Sequence, residues 1–148
     1  MKRQTLANQL GEIKFRKLLV EQQVQGERHF GSELNDAEIR EILEQRMQET
    51  YKQFFPLKKT FKLLEPYLEL GAERGQRALV MENDLKIKGI AIDISYDMLK
   101  CCEFYSRIFN KPKLPLRVCC DAYILPILSS SLPFVFCYET LHHFPEPT

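Results

Sequence analysis

Residues 67–95 carry the pattern that most restricts the fold: an apolar strand, a glycine turn, a helix start and a second apolar strand in direct succession. Gly71 follows the short apolar run Tyr67–Leu70 and lets the chain turn sharply, because glycine has no Cβ. Gly75 allows the next helix to pack closely, with its free N–H groups facing the turn. Asp93 ends the second strand, roughly 20 residues further on, where a carboxylate commonly binds ribose hydroxyls. The pattern predicts a half-site for a nucleoside-bearing ligand.

Strand and helix signals alternate after residue 66, as they do in parallel sheets with crossover helices. Helices are predicted from Gly75 to about Met81 and from a Ser95 cap to a stop before Pro112. Asp93 and Asp121 then lie at carboxyl ends of strands, on the edge where open α/β sheets bind ligands. The fold class is therefore α/β, with a parallel sheet of about four strands. These strands are predicted at Tyr67–Leu70, Lys88–Ile94, Leu116–Cys120 and Phe134–Tyr138.

The first 66 residues have helical periodicity instead. Asn35, with Glu38 three residues on, predicts a capping box at the start of the second helix, and Pro56 predicts its end. A third short helix is predicted over Leu57–Leu64. We therefore divide the chain into a helical segment, 1–66, and a sheet-forming segment, 67–148. The apolar positions of the first two helices are Leu6, Leu10, Ile13, Leu18 and Leu19, then Ile39, Leu43, Met47, Tyr51 and Phe54, and the exposed lysines of the third are Lys58, Lys59 and Lys62.

Composition limits the cellular setting. The 148 residues suit a single domain, and a net charge of +1 gives no sign of a nucleic-acid surface, so we expect no nucleic-acid partner. The start, MKRQTLANQLGEIKF, is too polar for a signal peptide. No apolar run is long enough to span a bilayer. We expect a cytoplasmic protein without a membrane span.

The five cysteines form two adjacent pairs and one single residue, at 101, 102, 119, 120 and 137. Adjacent cysteines differ from the C-x-x-C spacing of metal sites, because neighbouring side chains point in different directions. We expect no metal site. Cys119, Cys120 and Cys137 lie in apolar, strand-like runs and are interpreted as small buried hydrophobic residues.

Four segments follow one another in the order of a known family pattern. They are ELGAERG at 69–75, GIAIDISYDML at 89–99, DAYILP at 121–126 and SLPFVFCYETLHHFPEP at 131–147. Together they resemble the class I S-adenosylmethionine-dependent methyltransferases, in particular the branch with the ubiquinone and menaquinone C-methyltransferases. The resemblance covers 67–148 and implies a Rossmann-like sheet with S-adenosyl-L-methionine as cofactor.

The resemblance assigns three acidic residues to three parts of that cofactor. Glu69 would face the methionine amino group, and Asp93 would bind the ribose hydroxyls through charge-assisted hydrogen bonds. Asp121 would accept a hydrogen bond from the adenine amino group. Tyr138 would lie near the sulfonium and the acceptor. The other positions implied for the cofactor site are Gly71, Gly75, Ile94, Ala122 and Cys137.

The chain departs from the family pattern at three points. Glu73 replaces the middle glycine of the loop, so its side chain must point away from the cofactor or the loop must open. Pro133 replaces the aspartate of strand four. The family's sheet has seven strands, whereas this sequence ends after four, which would leave Phe134–Tyr138 as an apolar edge strand. We expect a truncated domain that keeps the cofactor half.

The implied activity is methyl transfer by in-line displacement to a small-molecule or lipid-like acceptor. Glu139, His142 and His143 follow strand four and are weak candidates for a base, since histidine titrates near neutral pH. Two other functions stay open. A nicotinamide-dependent oxidoreductase would need a G-x-G-x-x-G loop, but three residues separate Gly71 from Gly75. A truncated, non-catalytic module could bind the cofactor or a partner chain.

Overall fold

The computed structural model describes residues 2–24, 36–61 and 63–141, which form four α-helices, one π-helical turn and four strands. None of the described helices is both long and apolar enough to cross a lipid bilayer. In chain order the elements are α1 (Lys2–Val24), α2 (Asp36–Thr60), β1 (Tyr67–Leu70), α3 (Gln76–Val80), the π-helical turn (Met81–Leu85), β2 (Gly89–Asp93), α4 (Tyr96–Ile108), β3 (Leu116–Cys119) and β4 (Phe134–Cys137).

The four strands form one parallel sheet in the order β3-β2-β1-β4. In the central pair Leu70 lies opposite Ile92, and on its other side Leu70 lies opposite Cys137. Strand β1 is central and buried, which explains its short, uninterrupted apolar character. The parallel sheet with flanking helices confirms the predicted Rossmann-like α/β class.

The hydrophobic core joins the sheet to α2 as well as to α3. Phe54 of α2 packs against Phe136 of β4, with ring centroids 4.8 Å apart, and Tyr67 of β1 lies 5.7 Å from the same ring. Leu43 and Met47 belong to the same cluster, one helical turn apart. The predicted apolar stripe of α2 therefore faces the sheet at these positions.

The predicted boundary at Pro56 is wrong, because α2 continues through Pro56 to Thr60, and residues 61 and 63–64, which the structure describes, are not helical. Proline removes one helical hydrogen bond, but Phe54 and Leu57 on either side of it pack on the core and hold the helix together. Lys58 and Lys59 are exposed, as predicted, although Lys58 also donates to the Leu85 carbonyl. The predictions for Asn35 and Lys62 lie outside the described residues.

Helix α4 begins as predicted, since the Ser95 hydroxyl accepts a hydrogen bond from the Met98 N–H at 3.3 Å. The helix after Gly75 extends beyond Met81, because a π-helical turn carries it to Leu85. Strands β2, β3 and β4 are each one or two residues shorter than predicted. Residues 120–133 form turns between β3 and β4, so no crossover helix joins these two strands.

The prediction that three cysteines are buried is wrong. Cys119 is exposed, and Cys120 and Cys137 are half-buried. Strands β3 and β4 form the two edges of the described sheet, where each strand is paired on one side only and is less covered than β1. An apolar run at a sheet edge resembles a buried strand in sequence, because periodicity does not encode strand order.

Candidate functional site

Three acidic side chains lie at the carboxyl edge of the sheet. Glu69 lies within β1 next to its last residue, Asp93 ends β2, and Asp121 follows β3 by two residues. Parallel strands present their carboxyl ends to the same edge, so the topology brings these side chains to one side of the molecule. This arrangement confirms the prediction that Asp93 and Asp121 lie at the carboxyl edge of the sheet.

The turn between β1 and α3 is held by its own backbone. The Ala72 N–H donates to the Ile92 carbonyl at 2.8 Å, and the Gly75 N–H donates to the Ala72 carbonyl at 2.7 Å. Gly75 has φ = 71°, and a Cβ there would lie 2.8 Å from the Cys102 Sγ of α4. Glycine is therefore required by both the backbone conformation and the approach of α4.

Gly71 has φ = 69°, and Thr140 occupies the space where a side chain at this position would lie. A Cβ at Gly71 would lie 2.2 Å from the Cγ2 of Thr140, whose hydroxyl donates to the Gly71 carbonyl at 3.4 Å. The positive φ agrees with the predicted sharp turn at Gly71, and the close approach of Thr140 is a second reason for a glycine here. Thr140 lies three residues after the end of β4, and nothing in its local sequence signals this contact.

Asp93 is buried and anchors the glycine turn. One carboxylate oxygen accepts from the Ser95 N–H at 2.8 Å, and the other accepts from the Glu73 N–H at 2.9 Å. Burial raises the pKa of Asp93, against the lowering effect of these two amides. An ionised carboxylate has about four acceptor positions, so each oxygen can take a further donor.

Glu69 is the most deeply buried acid at this edge. Its side chain is 1% exposed, and neither oxygen has a hydrogen-bond partner among the described residues. Arg77 Nη1 lies 3.8 Å from Glu69 Oε1. Burial raises the pKa of Glu69 to about 8, although the positive charge of Arg77 opposes the shift.

Asp121 is half-buried and already has a side-chain partner from the N-terminal segment. The Gln9 Nε2 of α1 donates to Asp121 Oδ2 at 2.7 Å, and the Tyr123 N–H donates to Oδ1 at 2.9 Å. Ala122 lies in the turn beside Asp121, and Ile94 follows Asp93 at the end of β2. Both are half-buried and lie at the same edge of the sheet.

Basic side chains of α1 and α2 reach the glycine turn at Glu73, which has φ = 49°. Arg16 Nη1 lies 2.7 Å from Glu73 Oε1, and Arg46 Nη1 lies 3.9 Å from Oε2. Burial would raise the pKa of Glu73, but the hydrogen bond and charge of Arg16 outweigh it and the pKa is lowered. The side chain thus points towards the two N-terminal helices.

The predicted catalytic candidates are only partly described. Glu139 has φ = 53°, is exposed, and lies 3.9 Å from Arg46 Nη2. The guanidinium carbon of Arg77 lies 4.0 Å above the ring of Tyr138. Cys137 ends β4 beside Leu70. His142 and His143 lie outside the described residues.

Sequence reasoning missed four residues of this edge. Arg77 had a local signal, since it is a charged residue at the start of a run that is otherwise apolar up to Met81. Gln9, Arg16 and Arg46 had none, because their contacts depend on how the N-terminal helices pack.

Comparison with known proteins identifies the family. A family model described as a methyltransferase domain matches residues 68–148, more than half of the chain. No curated protein matches.

Solved structures share the fold at low sequence identity. The YcgJ protein from Bacillus subtilis is 20% identical over 55% of this chain and 34% of its own, with a TM-score of 0.48. An S-adenosylmethionine-dependent methyltransferase from Clostridium acetobutylicum is 21% identical over 60% and 35%, with a TM-score of 0.46. Magnesium protoporphyrin IX methyltransferase from Synechocystis with bound SAH is 14% identical over 93% and 61%, with a TM-score of 0.62.

This chain therefore spans about a third of the length of the first two proteins and 61% of the third. The likeness to the Synechocystis enzyme supports the fold, while the family match covers the sheet-forming segment from residue 68 onwards. The chain belongs to the methyltransferase domain family, and its fold is that of the class I methyltransferases.

Proposed function

We propose that the chain binds S-adenosylmethionine at the carboxyl edge of its sheet and serves methyl transfer to a small-molecule or lipid-like acceptor. The observation that carries the proposal is the set of three carboxylates at the ends of adjacent parallel strands, Glu69, Asp93 and Asp121, beside a turn with glycines at both ends. Membership of the methyltransferase domain family supports the same reading.

The chemistry of these side chains fits the cofactor. Glu69 has two buried oxygens without a donor, which suits an ammonium group. Asp93 keeps acceptor capacity beyond its two backbone amides, which suits ribose hydroxyls. Asp121 accepts an amide N–H from Gln9, which is a donor of the same kind as the adenine amino group.

The roles of the chain's residues in methyl transfer are binding and alignment. When bound, S-adenosylmethionine supplies an electrophilic methyl group on its sulfonium. Asp93 and Asp121 would hold the nucleoside, and Glu69 would orient the amino acid end. Cys137 and Tyr138, at the end of β4, would border the place where the acceptor approaches and limit water there. Alignment of the acceptor with the methyl group is then the main source of rate.

A base is needed only for an acceptor that must lose a proton. Glu139 is the described candidate, and its carboxylate is exposed beside Arg46. His142 and His143 are the other candidates. The branch with the ubiquinone and menaquinone C-methyltransferases, which the segments at 121–126 and 131–147 resemble, is the finer proposal for the acceptor class.

Calorimetric titration with S-adenosylhomocysteine tests the cofactor proposal. Asp93→Ala should weaken binding by about 1.5 to 3 kcal/mol, because the variant loses a charge-assisted hydrogen-bond acceptor for the ribose. Asp93→Asn should have a smaller effect, since an amide oxygen can still accept from the Glu73 or Ser95 N–H. Circular dichroism of both variants checks that they fold.

Glu41→Ala is the matched control, because Glu41 is an exposed carboxylate of α2. The control should bind S-adenosylhomocysteine like the unaltered chain. Unchanged affinity in Asp93→Ala would contradict the assignment of this carboxylate. Heat with NAD but not with S-adenosylhomocysteine would point to the oxidoreductase alternative.

A further inference from the structure

Exposed lysines gather at the amino edge of the sheet, at the other end of the strands from the three carboxylates. Because the strands are parallel, the residues that directly precede β1, β2 and β3 lie at this one edge, and they are residues 63–66, 86–88 and 111–115. The C-terminal end of α2 adjoins them. We call the exposed lysines of this edge and of this helix end the lysine face: Lys58, Lys59, Lys86, Lys88 and Lys113.

The π-helical turn before β2 holds the lysine face together. Lys58 of α2 donates to the Leu85 carbonyl, and Lys86 donates to the Asn83 carbonyl. The Asn83 side chain donates to the Lys113 carbonyl at 2.8 Å and accepts from the Lys113 N–H at 2.9 Å. Three separate parts of the chain therefore present their lysines on one surface. Bonds to neutral carbonyls leave the charges of Lys58 and Lys86 uncompensated.

Acidic residues of the same edge cancel only part of this charge. Asp84 pairs with the half-buried Lys111, whose Nζ lies 2.6 Å from Oδ2. Glu82 is buried and accepts the Gly89 N–H at 3.0 Å. Glu65 is exposed. Positive charge thus exceeds negative charge at the amino edge, so the net charge of +1 for the whole chain conceals a separation of charge along the strands.

Apolar side chains stand exposed among these lysines. Phe61 is 56% exposed, Leu63 71% and Leu114 40%. The Phe61 N–H donates to the Leu57 carbonyl at 2.8 Å, which fixes Phe61 directly after the last turn of α2, and Leu114 is the neighbour of Lys113 in the chain. A single exposed apolar residue is ordinary on a protein surface, but several beside a group of like charges indicate an interaction surface.

The composition of the surface indicates the class of partner. The stretches 58–65, 82–88 and 111–115, to which the lysine face belongs, contain neither arginine nor tryptophan nor tyrosine. Protein interfaces are enriched in those three residues and depleted of lysine, and nucleic-acid phosphates are commonly bound by the planar fork of arginine. Lysines beside exposed apolar side chains are instead typical of surfaces that bind anionic lipids.

We propose that the lysine face binds the surface of an anionic lipid bilayer, with its ammonium groups at the headgroups and with Phe61, Leu63 and Leu114 inserted at the boundary with the acyl chains. Two kinds of attraction then act together, one electrostatic and one from apolar burial. The carboxyl edge of the sheet would face away from the bilayer. This inference goes beyond the proposed function and does not depend on it, because it uses no residue of the carboxyl edge.

Flotation of the full chain with lipid vesicles tests the proposal. The chain should bind vesicles of phosphatidylcholine that contain about 30% phosphatidylserine, and it should bind vesicles of phosphatidylcholine alone much more weakly. Binding should decrease when the salt concentration rises from about 0.05 M to about 0.5 M, because salt screens the lysines from the headgroups.

Two double variants separate the two kinds of attraction. Lys88→Gln with Lys113→Gln should weaken binding to the anionic vesicles about tenfold to thirtyfold, since each lysine near such a surface adds about fivefold. Phe61→Ala with Leu63→Ala should weaken it by at least about fivefold, because less apolar surface is buried. All four side chains are exposed, so the folded state should persist, and circular dichroism checks this.

Matched controls alter the same residue types elsewhere on the molecule. Lys14→Gln with Lys100→Gln removes two exposed lysines from α1 and α4 and changes the net charge equally. Leu10→Ala with Leu18→Ala truncates two exposed leucines of α1. Both controls should bind the anionic vesicles like the unaltered chain.

Three outcomes would overturn the proposal: no binding to the anionic vesicles, equal binding to both kinds of vesicle, or an equal loss of binding in the controls. Single-stranded RNA serves as the competing probe. Binding to RNA that requires Lys88 and Lys113 but not Phe61 and Leu63, without binding to vesicles, would assign the lysine face to nucleic acid instead.

Discussion

At the scale of single residues, the unusual group is a carboxyl with no hydrogen-bond partner. Glu69 lies in the central strand, with both oxygens buried and unbonded among the described residues. The Arg77 guanidinium lies 3.8 Å away. Such an arrangement costs stability when the group ionises, and it is relieved when a donor arrives.

The stability of the fold should therefore depend on pH through Glu69. Its pKa is raised from 4.5 to about 8, so the folded chain retains a proton that the unfolded chain releases above about pH 4.5. This contribution is fully present below the unfolded pKa and is lost as the pH rises through about 8, by up to about 1.4 kcal/mol for each pH unit. Urea unfolding at pH 6 and pH 8 measures the loss.

Glu69→Gln should lose less stability than the unaltered chain between these two pH values, because glutamine stays neutral. It should also be the more stable of the two at pH 8. Glu41→Gln, at an exposed carboxylate, serves as the control and should follow the unaltered chain. Parallel changes in all three proteins would show that Glu69 ionises normally in the fold.

At the scale of elements, α1 reaches across the carboxyl edge of the sheet. It packs against α4, and its Gln9 and Arg16 contact Asp121 and Glu73, respectively. The Gln9 amide occupies an acceptor that the proposed function assigns to adenine. Under the proposed function, helix α1 would therefore compete with the base for the Asp121 carboxylate, while its Arg16 secures the neighbouring turn.

Gln9→Ala should strengthen S-adenosylhomocysteine binding by up to about fivefold. In the variant the ligand no longer has to displace the Gln9 amide from Asp121 Oδ2, and the hydrogen bond that is broken in that displacement has a net free energy of about 1 kcal/mol. Calorimetric titration of the variant measures the change. Gln48→Ala, at an exposed glutamine of α2, is the control and should leave affinity unaltered. Weaker binding in Gln9→Ala would mean that the amide adds to the site and does not compete.

At the scale of the whole molecule, α2 and the sheet share one hydrophobic core. Phe54 is 8% exposed and packs on the rings of Phe134 and Phe136 in β4. The helical segment and the sheet-forming segment are therefore expected to unfold together, although their sequences differ in character.

Phe54→Ala should lower the free energy of unfolding by about 3 to 5 kcal/mol, because it leaves a cavity between α2 and β4. Its neighbour provides the matched control: Phe55 is 37% exposed, so Phe55→Ala should cost about 1 kcal/mol or less. Urea unfolding followed by circular dichroism should give a single transition. A sheet that unfolds at the same urea concentration in Phe54→Ala and in the unaltered chain would show that α2 contributes little to it.

The sequence predicted those parts of the structure that depend on residues close together in the chain. The strand at Tyr67–Leu70, the Ser95 cap and the acid at the end of β2 follow from glycine turns, side-chain capping and apolar runs. The path of α2 through Pro56 was missed, because packing outweighed the local preference of proline. The Gln9 and Arg16 contacts join residues 112 and 57 positions apart, a separation that no periodicity encodes.

Glu73 links the glycine turn to α1 and α2 through ion pairs that a glycine at this position could not form. Its two ion pairs differ in strength, since Arg16 lies 2.7 Å away with a side chain 13% exposed, whereas Arg46 lies 3.9 Å away and is 31% exposed. Added salt screens exposed pairs more than buried ones, so the outer pair weakens first. The ion pair between the turn and α2 should therefore weaken at a lower ionic strength than the ion pair between the turn and α1, while the hydrophobic core keeps α2 in place.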